Sequence, residues 1–342
     1  MEGKGEKLRV AIACQGGGSH TAFTAGALKR LLADERYEVV ALSGTSGGAI
    51  CAVLAWYALL ENGGAGAAAR AAQLLDSFWE DNSAREFFDA LWNQWLLWVN
   101  RSQGFFVLPA VSPYSTQLSY WAQNRLEEML KRRVEFEKLG TPLGKDSSPM
   151  LVIGAVDVLS GEFKAFNSQR DEIRAETILA STALPTLFRA VRTDGGIYWD
   201  GLFSQNPPIR ELPRAKPDEI WVIQIDPKKR GEEPKSMTDI LDRRNELAGN
   251  ISLYQEIHFM RKVNQLVDRL GEGENRKERR LRLSSEKEYK PIEVRWIRMS
   301  RPLDFASKLD RSPSFIRGMM NYGERQAEDF LERLDLALST EG

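Results

Sequence analysis

From Val39 to Leu60 the chain runs 22 residues without a charge, between Glu38 and Glu61. That length would cross a bilayer, but its middle reads Ser43-Gly44-Thr45-Ser46-Gly47-Gly48. Such a sequence turns the chain and breaks a helix. The stretch therefore predicts a buried strand, a tight turn and a buried helix rather than a membrane span. A strand this apolar needs cover on both faces, which a sheet flanked by helices provides.

The rest of the chain extends that pattern. Leu8 to Cys14 and Tyr37 to Leu42 are short runs rich in β-branched residues. Further strands are predicted at Met150 to Val156, Glu162 to Phe166, Ile197 to Trp199, Glu219 to Ile225 and Ile292 to Arg298, the first two joined through Leu159-Ser160-Gly161. Helical periodicity covers Ser19 to Ala33 with Ser19 as N-cap, Ala49 to Leu60, Ala67 to Phe78, Ala84 to Trp98, Tyr114 to Arg133, Asp171 to Ala180, Thr238 to Leu270 and Ser312 to Leu338. Strands alternating with helices predict a three-layer α/β/α architecture with a largely parallel central sheet. No composition break divides the chain, so a single domain over residues 8–338 is expected. It would carry an aromatic-rich helical insertion at about 78–133 and a charged mobile loop at about 271–290.

Composition excludes several function classes. With 47 Lys+Arg against 48 Asp+Glu, the net charge of -1 provides no field for nucleic acid. Two cysteines, Cys14 and Cys51, cannot build a disulfide scaffold and suit a reducing compartment. No Cys/His/Asp cluster has metal-ligand spacing, and no metal or cofactor is expected. The polar Met1 to Lys7 followed by a short apolar run does not make a secretory leader. The expectation is a cytoplasmic protein, with room for a peripheral association with membrane.

Two glycine-rich turns carry the chemistry. Gly44-Thr45-Ser46-Gly47-Gly48 matches G-x-S-x-G between an apolar strand and an apolar helix. There a strained turn lifts a serine hydroxyl clear of the sheet and places it at a helix N-terminus that favours negative charge. Gln15-Gly16-Gly17-Gly18-Ser19-His20 occupies the same strand-to-helix position. Its amides could cradle a phosphate in a non-catalytic nucleotide-binding module, although Thr21 stands where a dinucleotide fingerprint needs its third glycine. Alternatively they could form an oxyanion hole from Gly16, Gly17 and Gly18 beside Ser46. A serine nucleophile also needs a base. His258 could complete a Ser-Asp-His esterase, but it lies inside a long helical pattern. His20 could shape the glycine loop or cap a helix. Asp200 ends a strand in Tyr198-Trp199-Asp200-Gly201-Leu202-Phe203-Ser204-Gln205-Asn206-Pro207-Pro208 and could take the Ser46 proton directly.

Taken together, these residues resemble the patatin-like phospholipases, lipid acyl hydrolases that use a Ser/Asp dyad. The resemblance rests on Gly16-Gly17-Gly18, on Gly44 to Gly48, and on Asp200 with Asn206 and Pro208 six and eight residues later. Ala180-Ser181-Thr182-Ala183-Leu184-Pro185 also looks like the family's stretch before its aspartate, and the likeness spans about residues 8 to 225. It implies Ser46 as nucleophile, Asp200 as base, Gly16 to Gly18 as oxyanion hole, and a fatty acyl ester of a phospholipid or other glycerolipid as substrate. His20 and Thr21 replace the Arg and Gly usual after the oxyanion glycines, and Leu202 stands where Gly or Ala is common. Asp194-Gly195-Gly196 spells the aspartate tripeptide but lacks Asn at the sixth following position, so Asp194 is set aside.

Twelve of the chain's 32 aromatics fall between Phe78 and Trp121. Phe88, Leu91, Trp92, Trp95 and Val99 share one helical face, with Arg85, Asp89 and Asn93 elsewhere. That face suits either ordinary core packing or a lid or groove that meets lipid. The basic run Arg276-Lys277-Glu278-Arg279-Arg280-Leu281-Arg282 suits a solvated segment or a contact with anionic phospholipid.

Overall fold

The computed structural model describes residues 7–62, 65–102, 112–139, 149–185, 187–270, 290–301 and 303–340. The predicted charged loop at 271–290, with its basic run, lies outside the described residues except at its last position.

Eight strands form one sheet: β1 (Leu8–Cys14), β2 (Tyr37–Gly44), β3 (Met150–Asp157), β4 (Phe163–Asn167), β5 (Val191–Thr193), β6 (Gly196–Asp200), β7 (Glu219–Gln224) and β8 (Glu293–Arg298). Their order is β5-β6-β3-β2-β1-β7-β8, with β4 also on β3. The run β3-β2-β1-β7-β8 is parallel, and β4, β5 and β6 join antiparallel. Nine helices accompany them among the described residues: α1 (Ala22–Leu32), α2 (Gly47–Asn62), α3 (Ala65–Asn82), α4 (Phe87–Ser102), α5 (Leu118–Lys131), α6 (Phe136–Leu139), α7 (Ala175–Thr182), α8 (Met237–Leu270) and α9 (Pro313–Thr340).

The two-residue period of the strands explains the layers. On one face Ile12 and Cys14 of β1, Leu151 and Ile153 of β3 and Trp221 and Ile223 of β7 join the core built with α1, α2 and α9. On the other, Ala11 and Ala13, Met150 and Val152, and Ile220 and Val222 pack with Leu253, Ile257 and Met260 of α8. Both faces are therefore covered, as the apolar strands require. The uncharged stretch resolves into β2, a turn and α2, in which Trp56 is fully buried. No helix among the described residues is long and apolar enough to cross a membrane.

Several boundaries differ from the sequence expectation. A 3-10 turn, Gly18–Thr21, precedes α1, so Ser19 sits inside that turn instead of capping the helix. The helix expected at Asp171 begins at Ala175, because the preceding residues turn back on Asp171, whose carboxylate accepts the Asn167 amide at 2.8 Å. Strand β5 is only three residues long, too short for periodicity to show, and is paired through a turn in which Asp194 and Gly195 have positive φ.

The largest difference is in α4. Its polar side faces the protein: Asn93 is 1% exposed and exchanges hydrogen bonds with the Asp310 carboxylate (3.3 Å) and the Arg311 amide (3.0 Å). Asp89 pairs with Arg311 at 2.5 Å. The expected apolar face points out, with Leu91 at 52%, Trp92 at 44% and Trp95 at 48% exposure, and Trp98 beside it is exposed as well. Core packing is therefore the wrong reading of this stripe. The side chains of Phe88 and Val99 lie outside the described residues.

Candidate active site

β1 and β2 are parallel neighbours in register, Cys14 opposite Gly44, so the two glycine-rich turns leave the same end of the sheet side by side. Ser46 has φ 56°, a conformation costly for a residue with a side chain, as a strained strand-to-helix turn requires. Its amide donates to the Ser181 carbonyl at 3.1 Å and to Ser181 Oγ at 3.0 Å. Ser181 Oγ in turn donates to the Gly154 carbonyl at 2.6 Å, so α7 and β3 together hold the elbow from below.

Register brings Asp200 to the same height. Gly44 pairs with Ile153 on β3, and two residues further up Ala155 pairs with Asp200 on β6. Ser46 lies two residues beyond Gly44, so elbow and carboxylate flank the end of β3. The gap between them closes over Gly154: a Cβ there would stand 2.7 Å from Thr45 Oγ1 and 2.8 Å from the Gln205 carbonyl. Thr45 donates its hydroxyl to that Gln205 carbonyl at 2.6 Å, stitching the elbow to the segment after Asp200.

Asp200 is 2% exposed and accepts the Leu202 amide at 2.8 Å. Its pKa is raised to about 7: burial is the main cause, and the nearby Asp226 adds to it, while the Leu202 amide and the Ser46 hydroxyl act in the opposite sense. Ser46 is thus among the groups that directly bias this carboxyl. Asp226 is itself buried and held by Lys308 at 3.1 Å, and Lys308 also reaches Asp242 at 2.8 Å.

The glycine loop lies against the elbow as expected, with one difference. The Gly16 amide donates to Asn206 Oδ1 at 2.7 Å and so is already taken. His20 is buried in the turn that follows, with Nε2 2.7 Å from Ser307 Oγ. Burial and then the Lys308 charge lower its pKa to about 3, so it stays neutral and serves as packing. His258 is exposed on α8. It lies nine residues, roughly 13 Å along the helix, past Gly249, where a Cβ would stand 2.8 Å from Asn206 Nδ2. It does not join the site. Asp194 lies in the β5–β6 turn, paired with Lys164 at 2.8 Å.

Thr45, Ser181 and Gln205 lie inside the motifs quoted from the sequence, but spacing gave them no role of their own; the structure makes them supports of the elbow.

A serine with positive φ at a helix N-terminus, a buried carboxyl and a glycine-rich loop thus lie together at one end of the sheet. The family model for the patatin-like phospholipases matches residues 12–213, and the chain belongs to that family. Among solved structures it is similar to VipD from Legionella pneumophila, at 14% identity and a TM-score of 0.43, over 96% of this chain and 67% of that one. No curated protein matches it.

Proposed function

We propose that the protein hydrolyses fatty acyl esters of phospholipids or other glycerolipids through an acyl-enzyme on Ser46, with Asp200 as the base. The observation that carries this reading is that the Ser46 elbow and the buried Asp200 carboxyl meet across Gly154 of β3, where burial raises the Asp200 pKa to about 7. A carboxylate of that basicity can accept a proton near neutral pH without an imidazole. Asp200 takes the Ser46 proton as Oγ attacks the ester carbonyl. The tetrahedral oxyanion is stabilised by glycine-loop amides and by the N-terminus of α2. Asp200 then returns the proton to the leaving alcohol, and in the second half deprotonates the water that releases the fatty acid.

The outward face of α4 supports a lipid substrate. Trp92 and Trp95 are stacked in the open, with ring centroids 4.8 Å apart, and Tyr114, Leu118, Tyr120 and Trp121 at and before the start of α5 are also exposed. Tryptophan and tyrosine favour the boundary between acyl chains and water. The helix is pinned at its polar face to Asp310 and Arg311, just after the Phe305–Leu309 turn, and the Lys308 carbonyl of that turn lies against Gly18. The aromatic face therefore sits at the catalytic end of the sheet. A cytoplasmic protein working at the periphery of a membrane also fits the two buried free thiols, Cys14 and Cys51.

The test is fluorophosphonate labelling together with a lipid panel. Ser46 labelled in the parent but not in Ser46→Ala, with fatty acid released from glycerolipid vesicles faster than from monomeric short-chain esters, is the expected result. An unlabelled parent, or a preference for the monomeric esters, refutes the reading.

A further inference from the structure

Three of the four residues in the loop Gln15-Gly16-Gly17-Gly18 have no side chain to hold them, so their aim must be set from outside. Gln15 anchors one end. Its Oε1 accepts the amides of Ile225 (2.9 Å) and Asp226 (2.8 Å), and its Nε2 donates to Asn250 Oδ1 (3.1 Å) and the Asn206 carbonyl (3.4 Å). The glycine end is anchored by Asn206, which is fully buried and accepts the Gly16 amide at 2.7 Å. Gly16 is pressed between two catalytic segments: a Cβ on it would stand 2.7 Å from Ser46 Cβ and 3.2 Å from Asn206 Oδ1. The adjacent Gln205 carbonyl takes the Thr45 hydroxyl. Residues 205 and 206 therefore fasten both the elbow and the glycine loop to the segment that begins with the base.

We propose that Asn206 is a positioning residue for acyl transfer: its Oδ1 removes the Gly16 amide from the oxyanion donors and sets the loop so that the Gly17 and Gly18 amides face the tetrahedral oxygen. The inference rests on the hydrolase reading above. Without that acceptor the Gly16 N–H is left buried and unpaired, and the peptide plane that carries it turns to find another partner. As that plane turns, the following two amides would swing off target. Only the acceptor half of the Asn206 amide is engaged, since Nδ2 has no partner among the described residues. Aspartic acid keeps an acceptor oxygen at that place, and alanine removes it.

The experiment compares Asn206→Ala and Asn206→Asp with the parent, turnover being counted per fluorophosphonate-titrated site so that unfolded protein drops out. Direct loss of an oxyanion donor costs about 10²–10³ in turnover; for misaimed donors Asn206→Ala should lose about 10- to 100-fold in kcat with KM within about twofold. Asn206→Asp should recover most of that loss. In the ¹H–¹⁵N glycine spectrum of the parent, phosphonylation of Ser46 should move the Gly17 and Gly18 amide protons strongly downfield as they gain a hydrogen bond to the phosphonyl oxygen, with a smaller change at Gly16, a readout that needs no variant. Unchanged kcat in Asn206→Ala, an equal loss in both variants, or a Gly16 amide proton displaced downfield as far as the other two overturns the assignment. An inert, unlabelled parent overturns the hydrolase reading and this one with it, whereas an active parent with that Gly16 displacement overturns this one alone.

Discussion

Replacing Asp200 by Asn should remove activity and, in alkaline solution, make the protein harder to unfold than it would be with its carboxylate. The Asp200 pKa rises from 3.8 in the free side chain to about 7 in the folded protein, mainly through burial. The folded state thus binds the proton more tightly than the unfolded state. The resulting stabilisation is complete below pH ~4 and is lost as pH rises through ~7. A rise of that size corresponds to about 4 kcal/mol in all, of which about 2–3 kcal/mol disappears between pH 5 and pH 8. The amide introduced by Asp200→Asn cannot titrate, so the stability of that variant relative to the parent should grow by the same amount over the same interval. For a chain of 342 residues this is roughly 3–4 °C in Tm. Thermal unfolding of both proteins at half-unit steps from pH 5 to 8 measures it, and any fixed cost of fitting the amide cancels in the slope. Turnover should fall by about 10²–10⁴ above pH 7, and by less at lower pH, where the parent's own base is protonated. Parallel Tm curves would show that Asp200 is not held neutral by the fold, and the argument for a direct serine–carboxylate pair would lose its physical basis.

Other consequences follow from the same geometry. The parent's kcat/KM should drop as pH falls through about 7, because protonated Asp200 cannot accept the Ser46 proton; a profile flat from pH 5.5 to 8.5 contradicts this. Gly154→Ala places a Cβ 2.7 Å from Thr45 Oγ1 between the two arms of the site, so kcat should fall by about tenfold or more while far-UV circular dichroism stays the same. Lys308→Met leaves Asp226 without its cation and should cost about 3–5 kcal/mol in urea unfolding, whereas a loss below 1 kcal/mol would mean the cluster is not energetically closed. His258→Ala, an exposed change, should keep turnover within about twofold of the parent, and a collapse of activity would restore the three-residue alternative.

The parallel sheet, the proposed nucleophile and the proposed base could all be read from the chain alone. The base rests on the likeness of the Asp200 to Pro208 segment to the family, since a loop aspartate by itself marks only a turn. The other two rest on local rules, that a strand this apolar must be covered on both faces and that a turn this rich in glycine between strand and helix exposes one hydroxyl. The helix positions were legible for the same reason, since a 3.6-residue period over two or more turns is a local signal, whereas β5, at three residues, is shorter than any such signal.

Direction was not legible. Periodicity showed that Leu91, Trp92 and Trp95 share a face of α4 but not which way it points. That was settled by Asn93 and Asp89 finding Asp310 and Arg311, more than 200 residues away in sequence. Nor could spacing show that the Gly16 amide is already taken by Asn206, or that Asp200 would be buried deeply enough to titrate near pH 7. Sequence determined which groups this protein has for acyl chemistry and which segments carry them, because those follow from residue type and local backbone geometry. Which donors stay free, what pKa the base adopts and which surface meets the substrate depend on desolvation and on hydrogen bonds between distant segments. Those exist only once the sheet has brought the segments together.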